Sequence, residues 1–113
     1  MELTKKITTP LGKNEVEIKI ILTGAEREKI DNAQMQYMKT SDGKSFEVTD
    51  MSKVALAQKH ELLKTCLISI DGDKLNCFDR IQKFYEQDYD FVFDEIMKEQ
   101  KKNSKRPLDI QTL

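Results

Sequence analysis

The chain has 113 residues, with 19 Lys and Arg against 20 Asp and Glu, a formal balance of −1. That length fits one domain with a self-sufficient core. Charged residues make up 35% of it and its apolar runs fall far short of the about 20 residues a membrane span needs, while the near-zero balance argues against a dedicated nucleic-acid binder.

Residues 3–9 and 15–22 read as strands. In the second, Val16, Ile18 and Ile20 alternate with Glu15, Glu17 and Lys19, the period of a half-buried strand. Thr9-Pro10-Leu11-Gly12-Lys13-Asn14 between them carries turn chemistry, so a β-hairpin is expected, with Leu3 and Ile7 on its core face. Thr23-Gly24-Ala25-Glu26 has the form of a capping box. It should open a first helix over Ala25–Met38, with Ile30, Ala33, Tyr37 and Met38 at helical spacing. Ser41-Asp42-Gly43-Lys44 reads as a turn. Phe46 and Val48 alternate with Ser45 and Glu47, which allows a third short strand over 44–49 against the hairpin.

Asp50 is placed to cap a second helix over 51–69. Its stripe would be Leu56, Leu63, Leu67 and Ile70, flanked by Ala55, Leu62 and Cys66. A third helix over 73–86 would turn Leu75, Phe78, Ile81 and Tyr85 to one side. A fourth, over 90–101, offers Phe91, Val92, Phe93, Ile96 and Met97. Residues 102–113 lack periodicity and contain Pro107, so they read as a disordered charged tail after a single domain over 1–101. The fold class is therefore α+β: an N-terminal antiparallel hairpin, then a four-helix, mainly α region.

Few residues suggest covalent chemistry. Cys66 and Cys77 are 11 apart without a CxxC, and His60 is the one histidine, so no zinc set is expected and both cysteines read as buried thiols. Cys66 and His60 stand six apart on one predicted helix and face different directions. Asp42-Gly43-Lys44-Ser45 ends like a phosphate loop but has Met38 where the first glycine belongs. No catalytic residue, metal ligand or cofactor is assigned, and an enzyme is not expected. Between Asp71 and Glu95 stand eight acids against three bases, a balance of −5. Asp71-Gly72-Asp73 departs from the EF-hand template, and Asp73 with Asp88 or Asp90 reads as helix caps. Lys98–Arg106 carries +4, which reads as a solvated helix end or as a site for RNA or an acidic partner.

The fourth helix has apolar residues on more than one face. It could be the central core helix, or it could present a face for protein binding or self-assembly. The candidate contact residues are Tyr85, Tyr89, Phe91, Phe93, Ile96 and Met97.

The order of features carries a family resemblance. A hairpin leads into Leu22-Thr23-Gly24-Ala25-Glu26-Arg27-Glu28; then come Ser69-Ile70-Asp71-Gly72 and Asp88-Tyr89-Asp90-Phe91-Val92. Over residues 15–100 this resembles the small tail assembly chaperones of long-tailed bacteriophages and prophages. The family shows a strand followed by a Leu-Thr-x-x-Glu helix start, a Ser-x-Asp-Gly turn between central helices, and an acidic-aromatic opening of the last helix. The resemblance implies a non-enzymatic protein that binds the tape-measure protein and helps recruit tail-tube subunits. It implies a place in the cytoplasm of the host bacterium and absence from the mature virion. The N-terminus, Met1–Lys6, has no apolar stretch of a signal peptide, which also leads to the cytosol as the expected place. The implied partners are the tape-measure and tail-tube proteins, with a homo-oligomer left open and no membrane. A different class of function, a small phage regulatory protein binding nucleic acid through its basic C-terminal tail, is the alternative.

Overall fold

A computed structural model describes residues 2–33, 38–41, 45–48 and 51–103. Its elements run β1 (Thr4–Thr8), β2 (Glu15–Lys19), α1 (Gly24–Asn32), β3 (Met38–Ser41), β4 (Ser45–Val48), α2 (Met51–Cys66), β5 (Leu67–Ile70), α3 (Cys77–Ile81) and α4 (Glu86–Asn103). This is an α+β fold, as the alternation and helical spacing predict. The chain divides into two compact units.

The first unit comprises the N-terminal hairpin and the chain from Leu63 onward. Its sheet has the order β1-β2-β5, antiparallel throughout. Ile7 pairs with Val16 and Val16 with Ile70, which lines up three buried side chains across the sheet. That face also carries Lys5, and Lys5 Nζ reaches Glu99 of α4 at 3.0 Å and Glu95 at 3.5 Å. Helix α4 therefore lies on this face. It adds Val92, Phe93 and Ile96 to the core, all nearly fully buried. Its far end is tied by Gln100, which donates to the Ile20 carbonyl at 3.2 Å. The opposite face of the sheet is polar: Thr4 donates to Glu17, Lys6 pairs with Glu15, and Ser69 donates to Glu17. The period-2 alternation of β2 is thus one face against a helix and one polar, hydrogen-bonded face.

The hairpin turn is held from inside and from α4. Thr9, fully buried, donates its N–H to the Asn14 carbonyl and accepts the Asn14 N–H on its hydroxyl. Asp88 of α4 accepts the Leu11 N–H at 2.9 Å and the Gly12 N–H at 2.7 Å, one on each carboxylate oxygen.

The Lys5–Glu99 contact makes a pH dependence. Its hydrogen bond from Lys5 holds the Glu99 carboxyl below its ordinary 4.5, and the same bond raises Lys5 above its ordinary 10.5. A depressed carboxyl contributes stability that is present above its unfolded value and lost as pH falls through the folded one. A raised amine contributes below 10.5 and loses its contribution as pH rises through its folded value. Urea midpoints measured from neutral pH down through pH 4.5 should fall, and Glu99→Gln should flatten that acid limb. An unchanged acid slope in the variant refutes the assignment.

The second unit spans Thr23–Leu62 among the described residues. The expected capping box is present: Thr23 Oγ1 accepts from Glu26 N–H at 3.2 Å, and the Glu26 carboxylate accepts from Thr23 N–H at 2.8 Å. Ile30 is fully buried, and Arg27, also buried, pairs with Asp31 one turn on. Strands β3 and β4 form their own two-stranded sheet, Met38 opposite Val48. Lys29 of α1 meets Glu61 of α2 at 3.5 Å.

Several boundaries differ from those the sequence predicts. Helix α1 stops at Asn32, not Met38; Met38 belongs to β3, whose backbone is paired with β4. The third strand, β4, is paired with β3 and not with the N-terminal hairpin. Helix α2 ends at Cys66, because Leu67–Ile70 leaves it to pair with β2. Its buried residues include Val54, Ala55, Leu62, Leu63 and Cys66, while Leu56, assigned to the stripe, is 49% exposed. The third helix shrinks from 73–86 to Cys77–Ile81, since Asn76 before it takes a left-handed backbone at φ 51°. Helix α4 starts at Glu86, four residues early, and runs to Asn103. Asp73 and Asp88 are accordingly not N-caps. Asp73 accepts the Leu75 N–H in a turn, and Asp88 lies inside the first turn of α4, facing the hairpin. The Asp50 cap, Tyr37, the Asp42–Lys44 turn and the tail beyond Asn103 lie outside the described residues.

Candidate interaction surface

The sequence places six contact residues on or beside the last helix, and folding separates them. An α-helix turns about 100° per residue, so residues 88, 92, 96 and 99 fall along one stripe. All four are buried, with Phe93 and Gln100 beside them. Phe93 and Ile96 are therefore core residues and cannot belong to an exposed surface of this fold. That corrects their assignment; the cause is that α4 has the sheet on this side to cover it. Phe91 and Met97 are half-buried. Six residues apart, they are about 240° apart around the axis and border the buried stripe on opposite flanks. Tyr85 precedes the helix and is 67% exposed. Tyr89, in its first turns, is half-buried; burial pushes its hydroxyl above the ordinary value, against a hydrogen bond involving Gln82.

The uncovered apolar surface lies earlier. Of the eight aromatic residues in the chain, six fall between Phe78 and Phe93, and of those six only Phe93 is buried. Phe78, Phe84 and Tyr89 are half-buried, and Leu75, just before α3, is 71% exposed. The sequence predicts a long helix that turns Leu75, Phe78, Ile81 and Tyr85 to one side; of these only Ile81 is buried. That helix does not form; the segment Leu75–Phe91 instead wraps from strand β5 to α4 with Cys77, Ile81 and Asp88 buried and with Leu75 and Tyr85 exposed. Turn chemistry in Asp71-Gly72-Asp73 was the available signal, but the left-handed Asn76 that extends the loop left none.

An open cleft of about 360 Å³ sits beside this segment, lined by Lys64, Lys74, Leu67, Cys77, Phe78 and Asp79. Lys64 Nζ stands 5.0 Å above the Phe78 ring, a cation–π contact that holds the ring against the end of α2. Cys77 is the buried cysteine of this lining. Its thiol is directed at the carbonyls of Ile68 and Asp73, both at 3.6 Å, and burial pushes it above its ordinary 9.0. It stays a protonated thiol near neutral pH, which is the state of a packing residue and not of a nucleophile. Cys66 and Cys77 are both free and buried.

Among the described residues, no group of three or more His, Cys, Asp and Glu side chains is placed to hold a metal ion, and no helix is long and apolar enough to cross a membrane. What the arrangement can do is bind: it offers aromatic edges and a leucine on a surface with lysines at its rim. Comparison with known protein families, curated proteins and solved structures finds no match to the chain.

Proposed function

We propose that the protein is a non-enzymatic tail assembly chaperone of a long-tailed phage or prophage, acting in the cytoplasm of the host bacterium. In this reading it binds the tape-measure protein and helps recruit tail-tube subunits. The order of sequence features supports the family. The observation that carries the binding role is the exposed pair Leu75 and Tyr85 beside the half-buried rings of Phe78, Phe84 and Tyr89. Aromatic residues left at a surface are enriched where proteins bind one another, and an amphipathic helix of a tape-measure protein would lay its apolar stripe along them. Lys64 and Lys74 at the cleft would meet carboxylates flanking that stripe.

The test is co-expression with the long helical reading frame of a tail operon. The wild-type chain should keep that protein soluble and co-purify with it. Leu75→Asp with Tyr85→Asp should keep its circular dichroism and melting curve, because both side chains are exposed, and lose at least about tenfold in affinity, the equivalent of about 1.4 kcal/mol. A wild-type chain that leaves the partner insoluble refutes the function. A double variant that binds like wild type refutes the surface.

A further inference from the structure

The cleft beside α3 combines apolar side chains with donors that the chain itself leaves unfilled. Leu67 and the ring of Phe78 are apolar; Lys64, Lys74 and Asn76 supply the donors. Among the described residues, no carboxylate or carbonyl accepts from the side chains of these three. Cations elsewhere in the fold are met by the chain's own acids: Lys5 by Glu95 and Glu99, Lys6 by Glu15, Lys29 by Glu61 and Arg80 by Asp73. Asp79 is the acid of the lining, and two lysines against it leave the cleft at +1.

The backbone around the cleft is held before any partner arrives. Arg80 donates to the carbonyls of Ile70, Asp73 and Leu75 at 3.1, 3.3 and 3.4 Å, and Asp73 accepts the Leu75 N–H at 2.9 Å. Asn76 keeps a left-handed backbone at φ 51° where this loop enters α3. A loop already bonded in this way loses little freedom on binding.

We infer that this cleft reads one acidic residue of a helical partner, a Glu or Asp standing one helical turn from an aliphatic residue. The inference rests on the proposed binding of an amphipathic helix and names what that helix must carry. The spacing selects this occupant. Lys64 Nζ is 5.0 Å from the centre of the Phe78 ring. Residues three or four apart on a helix have Cβ atoms about 5–6 Å apart. A carboxylate on Lys64 therefore brings an aliphatic neighbour one turn away against Phe78 and Leu67. Lys74 and Asn76 remain to complete the hydrogen bonds of that carboxylate. A helix with Lys or Arg at the same position meets two like charges, so the contact that accepts one helix rejects the other.

Fluorescence anisotropy with the full chain tests it, using end-capped amphipathic helical peptides as probes. The peptides share a leucine stripe and differ at one position, a turn from a leucine, which holds Glu, Gln or Lys. The Glu peptide should bind at least about tenfold tighter than the Gln peptide, and the Lys peptide more weakly still. Lys64→Glu with Lys74→Glu, both at exposed positions, should keep the circular dichroism and reverse the order to Lys over Glu. Asn76→Gly suits the positive φ and removes the amide, so it should fold as wild type and narrow the Glu preference. Equal affinity of the wild type for the Glu and Gln peptides overturns the inference. So does a failure to bind any of the three, or a Glu preference that survives in a folded double variant. Co-expression separates the cleft from the chaperone role. If the folded double variant co-purifies with the tape-measure protein as the wild type does, the cleft assignment falls and the chaperone stands. If the peptides follow the expected order but the tape-measure protein stays insoluble, the chaperone falls and the cleft stands.

Discussion

Phe93→Asp is expected to unfold the sheet-and-helix unit outright. Phe93 is 3% exposed on the side of α4 that meets the sheet. Removing its ring costs about 3–5 kcal/mol, and placing a carboxylate there with no partner adds several kcal/mol more. The total reaches the whole stability of a typical domain, about 5–15 kcal/mol. Phe91→Asp, two residues away on the half-exposed flank, should leave a cooperative melt with a modestly lower midpoint. Circular dichroism and urea titration of the two variants check it. If Phe93→Asp melts like wild type, the register of α4 against the sheet is wrong, and with it the separation of core from surface residues.

Asp88→Ala is the second large effect. The carboxylate is 1% exposed and accepts two backbone N–H groups from the hairpin turn. Alanine removes the acceptor of both donors at a buried position of α4. A hydrogen bond to a charged acceptor contributes about 1.5–3 kcal/mol, so a loss of about 3 kcal/mol is expected in the urea unfolding free energy for the two together. Hydrogen exchange should localise it, with the amides of Leu11 and Gly12 losing protection before those of β2. The same cradle explains Gly12. A Cβ there would stand 2.6 Å from Asn14 Oδ1 and 3.0 Å from Asp88 Oδ2, so Gly12→Ala should also destabilise by pushing the carboxylate off its donors. A variant at Asp88 within about 0.5 kcal/mol of wild type, the range of an ordinary surface change, refutes the clamp.

Local chemistry was legible where the signal is local. The alternation of Val16 and Ile18, the turn at Pro10–Asn14 and the Thr23–Glu26 box each depend on residues within a few positions of one another, and each is in place. The misread segments are decided by distant partners. Leu67-Ile68-Ser69-Ile70 fits the end of an apolar helix as well as a strand; what settles it is the open side of β2, about 50 residues earlier. Met38 likewise belongs to β3 because β4 pairs with it. The interaction surface was half legible for the same reason. The concentration of aromatics near the last helix is visible in the sequence, but which of them the sheet covers depends on the rotation of α4. Asp88 shows the limit most clearly: as a helix-opening acid it reads as a cap, and its hydrogen-bonding partners are 76 and 77 residues away.

The third strand also sets an order of events during synthesis. Val16 and Ile70, neighbours in the sheet, are separated by the entire second unit. At about 5–20 residues per second, a ribosome needs several seconds to deliver β5 after β2. Through that interval the hairpin exists as two strands, which in isolation are marginal, and Val16 and Ile18 await both their third strand and α4. Closing so long a loop adds little to the equilibrium cost, since each doubling of length costs only about 0.6 kcal/mol. It does add time in which a nascent chain exposes an apolar strand to its neighbours on the same message.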